Sequence, residues 1–232
     1  LKGGKRMFDT FLFAIFPYMA VILAVVFGIH RYLSDGYSYS SLSTQFLENR
    51  QLFWGSVPWH YGIIMILLGH LLAVFFPNAW ASLVGEPIRL YVIEVTGLAL
   101  GFVVIFGIGG LIIRRIINPR ISVVTSVMDW VLLLALLMQV LSGVYIALFH
   151  RWGSVWFVES AQPWLKSLLL LDPQVHYVAM LPWAVKLHIF GAFLLVLLIP
   201  FTRLVHLFSI PLGYLIRPRQ IVIWNKNYPW NS

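Results

Sequence analysis

Five long apolar stretches constrain this chain more than any other feature. A hydrocarbon core of roughly 30 Å is crossed by about twenty apolar residues in a helix, and only helices and closed barrels satisfy every backbone polar group in lipid. Stretches of that length run from Phe11 to Ile29, Val57 to Phe76, Leu90 to Ile113, Trp130 to Phe149 and Leu181 to Ile210. They predict an all-α membrane protein: a single domain over residues 1–232 built as a five-transmembrane-helix bundle. Only 10% of the residues are charged, against about a quarter in a soluble domain, so a water-facing fold is excluded.

The connections set the topology. A Ser- and Tyr-rich loop joins the first two spans, a short one covers Asn78 to Pro87, a basic one covers Arg114 to Ser126, and a long one covers His150 to Met180. Within the last, Trp164 to Leu171 is apolar but too short to cross, which predicts a segment lying at the membrane interface. Arg114, Arg115 and Arg120 in a compact loop, with Arg203, Arg217, Arg219 and Lys226 near the other end, place both regions in the cytoplasm and the N-terminus outside. The bias is nine positive residues inside against seven outside, and Lys2, Lys5 and Arg6 run against it. Those three ahead of an apolar stretch superficially resemble a signal peptide, but the stretch is too long and no small-residue cleavage site follows. The net charge of +8 is spread over short loops with no dense run, which argues for membrane topology and against nucleic acid as a partner.

Cysteine is absent. That removes disulfides, cysteine zinc sites, iron–sulfur clusters and covalently attached haem, leaving His, Met and carboxylates as metal ligands. Four of the seven histidines fall inside spans, where a strongly polar side chain is costly and marks a functional candidate. His60 and His70 lie ten residues apart on the second span, about 15 Å along a helix. His188 and His206 lie eighteen apart on the fifth, five turns on one face and about 27 Å. Two helices each carrying a histidine near each surface make two bis-histidine sites, the way a chain without cysteine builds six-coordinate b haems. Antiparallel pairing sets His70 opposite His188 near the outside and His60 opposite His206 near the cytoplasm. The mismatch in rise needs absorbing, and Pro200 between the fifth-span ligands is placed to kink or shorten it. The competing reading makes the four histidines packing residues hydrogen-bonded between helices.

Gly62, Gly69 and Gly191 near the ligands suit either porphyrin approach or helix contact. Arg203, Arg114 and Arg115 are candidates for pairing with haem propionates, with simple positive-inside anchoring as the alternative for the last two. His30, His150 and His176 fall at span ends or in the outer loop and read as interfacial.

Pro200-Phe-Thr-Arg-Leu-Val-His206, then Ser209-Ile-Pro211 and Tyr214-Leu215, resembles the closing segment of the gamma subunits of respiratory nitrate reductases. The His60/His70 and His188/His206 spacings look the same as that family's. Phe16-Pro-Tyr18, Ile108-Gly-Gly110, Asn118-Pro-Arg120 and Asp129 extend the likeness over most of the chain. The resemblance implies a cytochrome b anchor in a prokaryotic cytoplasmic membrane. In it His70 and His188 hold a distal haem, His60 and His206 a proximal one, and quinol (menaquinol or ubiquinol) is oxidised near the outer face. Electrons then pass to an iron–sulfur beta subunit and onward to a molybdenum alpha subunit that reduces nitrate. Relatives in sulfite-reductase-linked or nitrite-oxidising complexes share the anchor, so the terminal substrate is left open.

The family carries a lysine near its quinol pocket that is missing here; Arg89 is the nearest basic residue. Glu94, one turn further in, is a candidate proton acceptor, with an interhelical hydrogen bond as its alternative role. Lys186 and Gly69 complete the quinol-site candidates. A rival of another class is a haem-free anchor whose histidines relay protons; it needs acidic partners within the spans, and Glu94 and Asp129 at span ends are the only ones evident.

Overall fold

The computed structural model describes residues 2–39, 47 and 50–208. The expected basic tail from Arg217 to Lys226, the Ser209-Ile-Pro211 and Tyr214-Leu215 motifs, and most of the Ser- and Tyr-rich loop lie outside the described residues. Every regular element among them is a helix. Five are long and apolar enough to cross a membrane: α1 (Arg6–Ser34), α2 (Arg50–Phe75), α3 (Pro87–Ile117), α4 (Val127–Phe149) and α5 (Trp183–Leu198, extended by a 3-10 turn to Phe201). Prolines punctuate this pattern. Pro77, Pro87 and Pro119 each open a helix, where a missing N–H costs nothing. α4 starts on a capping box in which Ser126 accepts from the Asp129 N–H while Asp129 accepts from the Ser126 N–H.

The helices pack in the order α2, α3, α4, α5, α1. α2 meets α3 along a glycine seam so close that a Cβ on Gly107 would stand 2.5 Å from the Trp59 backbone nitrogen. Trp59, Val104, Ile108, Leu133 and Val140 form the apolar core shared by α2, α3 and α4. α2, which carries His60 and His70, and α5, which carries His188, are not neighbours in this order.

α1 is bent into the assembly by Pro17. The ring removes the N–H that would bond the Phe13 carbonyl, and the helix widens to a π-turn over Phe11–Ile15. The orphaned Phe13 oxygen instead accepts from the Trp164 indole N–H at 2.9 Å, and the Tyr18 hydroxyl donates to the Leu168 carbonyl at 2.9 Å. Trp164 belongs to the helix Ala161–Leu169 in the long loop. The apolar segment expected at the interface is therefore inserted in part: Trp164 and Leu168 are buried with Phe13 and Val178, while Leu169, Leu170 and Leu171 stay exposed.

The fifth stretch is not one helix from Leu181 to Ile210. α5 ends at Leu198, a 3-10 turn covers Ile199–Phe201, Thr202 is extended, and a second 3-10 segment covers Arg203–Leu207. Pro200 cannot donate to the ladder, so the α-helix stops just before it. The α-helical rise from His188 to Leu198 is ten residues, the same as from His60 to His70, so the excess length in the sequence is taken up by the irregular turns.

Candidate cofactor site

Of the four candidate histidines, His60 on α2 faces His206 in the 3-10 segment after α5, while His70 and His188 lie further along α2 and at the start of α5. The rings of His60 and His206 lie 6.2 Å apart between centroids, their planes inclined by 69°. Towards the other end of α2 the His70 ring sits 5.9 Å from the Phe157 ring, edge to face.

The hydrogen bonds fix which nitrogen each ring presents. His60 Nδ1 lies 2.7 Å from the Ser56 carbonyl, His70 Nδ1 2.9 Å from that of Ile66, and His206 Nδ1 2.5 Å from that of Arg203. A carbonyl oxygen can only accept, so Nδ1 carries the proton and Nε2 keeps the lone pair. His188 reaches the same state by another route. Its Nδ1 is 2.9 Å from the Ser142 hydroxyl, which spends its own proton on the Gln139 carbonyl at 2.8 Å and so accepts from the ring. A second partner on the distal nitrogen is what orients and tunes a metal-ligating imidazole.

Two metal–imidazole bonds of about 2 Å each, with the half-widths of the rings, set the centroids of trans imidazoles about 6 Å apart. The His60–His206 separation fits that span. Among the described residues no three His, Cys, Asp or Glu side chains converge. A bare ion has no cage, whereas a metalloporphyrin, which supplies four of its own ligands, needs only such pairs. The His188 side is also shaped for a ring: a Cβ on Gly143 would approach His188 Cε1 to 3.0 Å, so α4 gives way where the imidazole lies. Above it Gln139 donates to the His188 carbonyl at 3.1 Å, while its own Oε1 is buried with no protein donor.

The other sequence-predicted residues separate. Arg203 makes a bidentate ion pair with Asp129, Nε to Oδ1 at 2.5 Å and Nη2 to Oδ2 at 2.9 Å. Arg115 stands 3.6 Å from the same carboxylate and donates to the Thr125 hydroxyl at 3.0 Å, and Arg114 is buried. Of the quinol candidates, Glu94 accepts from the Ser154 N–H at 2.8 Å, and Arg89 holds the Ser82 and Leu83 carbonyls at 3.1 and 2.9 Å. Lys186 is buried against Asp9 of α1 at 2.8 Å. Gly69 faces open space beside His70, Gly62 packs on Val104 of α3, and Gly191 packs on Gln139. The candidates thus occupy different contacts and do not form one cluster. Sequence reasoning missed Asp9, Gln139, Ser142 and Gly143. Gln139, an amide in the middle of an apolar span, was the one signal that pointed there.

Comparison with known proteins agrees with this architecture. Residues 9–225 match the family described as nitrate reductase gamma subunit. The chain is 32% identical over 224 residues to the nitrate reductase gamma chain of Bacillus subtilis, covering 95% of this chain and 99% of that one. It is 27% identical over 226 residues to the respiratory nitrate reductase 1 gamma chain of Escherichia coli, covering 94% and 98%. Similarity extends to the nitrate reductase-like protein NarX of Mycobacterium tuberculosis, 29% identical over 222 residues, of which it matches 34%. With five membrane-crossing helices and a match across nearly its whole length, this chain belongs to the nitrate reductase gamma subunit family.

Proposed function

We propose that this protein is the dihaem cytochrome b subunit of a nitrate reductase complex. In this reading it oxidises quinol near the outer face of a prokaryotic cytoplasmic membrane and delivers electrons to an iron–sulfur subunit, beyond which a molybdenum subunit reduces nitrate. The observation that supports it is the facing of His60 and His206 at a separation that suits one metal between them, with Nδ1 of all four candidate histidines engaged in a hydrogen bond. Two b-type haems held by these histidines would supply one-electron carriers within the membrane.

The residues divide the work. His60 and His206 hold the inner cofactor and His70 and His188 the outer one, while Ser56, Ile66, Arg203 and Ser142 keep the rings in the ligating tautomer. Glu94, on α3 two turns from the end that the topology puts outside, is the proton acceptor in this reading. Releasing protons outside while electrons move inward stores about 2.3 kcal/mol per charge per 100 mV, with no proton channel through the helices.

The test is a dithionite-reduced minus oxidised spectrum of the purified protein with pyridine haemochrome quantification, repeated on His60→Ala and His70→Ala. Two b haems per chain, one lost in each variant, is the expected result. Well-folded protein free of haem refutes the proposal and leaves a bare anchor or proton relay.

A further inference from the structure

His206 is the one histidine of the four that no α-helix holds. It sits in a five-residue 3-10 segment, Arg203–Leu207, beyond the extended Thr202. Such a segment has poorer hydrogen bonds than an α-helix and little rigidity of its own, so the direction of the His206 ring has to be fixed by contacts from elsewhere.

Two arginines supply them from opposite sides. Arg31, at the end of α1, donates through Nη1 to the carbonyls of Pro200 at 2.7 Å and Thr202 at 3.1 Å, the acceptors exposed where α5 breaks. Its remaining nitrogens are tied down by the Ser38 hydroxyl and carbonyl at 2.9 and 2.8 Å. Arg203 is used at both ends. Its guanidinium is clamped by the Asp129 carboxylate, whose side chain is 4% exposed, and its carbonyl takes the His206 Nδ1 proton. Asp129 is itself locked by the Ser126 capping box, so the chain of contacts runs from the rigid start of α4 through Arg203 to the ring.

We propose that Asp129 is a positioning residue for the inner haem, acting through Arg203 on the His206 imidazole, with Arg31 holding the same segment from α1. Arg203 is then committed to Asp129, which replaces a propionate as the anion the sequence pattern suggested for it. Resting on the dihaem reading, the inference adds that the two cofactor sites are built differently. The outer ligands are carried by helices, while one inner ligand hangs on an ion pair.

The experiment takes the whole complex in detergent and measures haem per chain, the low-spin haem signals by electron paramagnetic resonance, and both midpoint potentials. It compares wild type, Asp129→Asn, Arg203→Lys, His206→Ala and His70→Ala. Asp129→Asn keeps the capping oxygen and removes the charge, and Arg203→Lys keeps the charge and removes the bidentate fork. Both variants are expected to lose, or to shift in potential, only the haem that disappears in His206→Ala, taking content from two haems toward one. Retention of both haems at unchanged potentials in both variants overturns the proposal, as does equal loss of both haems, which marks a general folding role. Wild-type protein without haem fails the dihaem reading instead, and the His70→Ala reference separates the two failures.

Discussion

Gly107→Ala gives the strictest measure of how tightly the fold controls His60 on α2. The added Cβ would stand 2.5 Å from the Trp59 nitrogen, 2.9 Å from its Cα and 2.9 Å from the Gly55 oxygen. All three are backbone atoms, so no side-chain rotamer can relieve the contact. An ordinary separation is about 3.5 Å, which requires α2 to retreat by about 1 Å at the residue directly before His60. Overpacking costs about 1–3 kcal/mol, and a clash against backbone belongs at the upper end, about 2–3 kcal/mol. That corresponds to roughly a hundredfold fall in the ratio of folded to unfolded protein. Gly109→Ala, two residues along the same helix, is the internal control, because a Cβ there meets nothing within 4 Å. Denaturant titration in detergent micelles should place Gly107→Ala well below wild type and Gly109→Ala within about 0.5 kcal/mol of it. The absorbance of the haem lost in His60→Ala should fall in step with the first variant alone. Equal midpoints for the two alanine variants would refute the argument that α2 and α3 meet backbone to backbone.

Three further outcomes follow from contacts of the same kind. Asp9 and Lys186 are each 6% exposed, so Lys186→Met or Asp9→Leu alone should cost about 3–5 kcal/mol by stranding the other charge, while the double variant recovers most of it; a double-mutant cycle on unfolding in detergent measures this. Trp164→Phe removes the donor to the Phe13 carbonyl and should cost about 1–3 kcal/mol. The same change in a Pro17→Ala background should cost less, because residue 17 regains an N–H, and equal costs in the two backgrounds would contradict the account of the π-turn. Gly143→Val pushes on the His188 ring and should remove the same haem as His70→Ala, read from the difference spectrum, with the other haem retained.

Much of this architecture was legible in the residues. Span number follows from length and hydropathy, which act locally, and the facing of His60 with His206 follows from antiparallel succession alone. The end of α5 was harder to read. Pro200 signalled a disturbance, but a span predicted as far as Ile210 treats the chain as helical wherever it is apolar, and the turns after Leu198 depend on Arg31 arriving from α1 to accommodate their carbonyls. Arg203 illustrates the same limit. A cation near a candidate haem ligand suggests a propionate contact, and the fold adds a partner that its place in the sequence does not announce: Asp129, seventy-four positions away. Asp9 lies just ahead of the apolar run, and nothing in its sequence position announces the buried Lys186 that takes it into the protein.

The packing order has a consequence for how the protein is made. Of the five long helices α1 is made first, yet the non-local partners that hold it in place come last. Tyr18, Trp164, Lys186 and Arg31 make bonds across sequence separations of 150 to 177 residues. At a synthesis rate of about 5–20 residues per second, the first helix waits roughly 10–30 s in lipid before α5 appears. During that interval Asp9 has no lysine, the Phe13 carbonyl has no indole and Arg31 has no broken helix end to hold. A chain that stops after α4 therefore leaves Asp9, the Phe13 carbonyl and Arg31 without the partners that satisfy them in the finished fold.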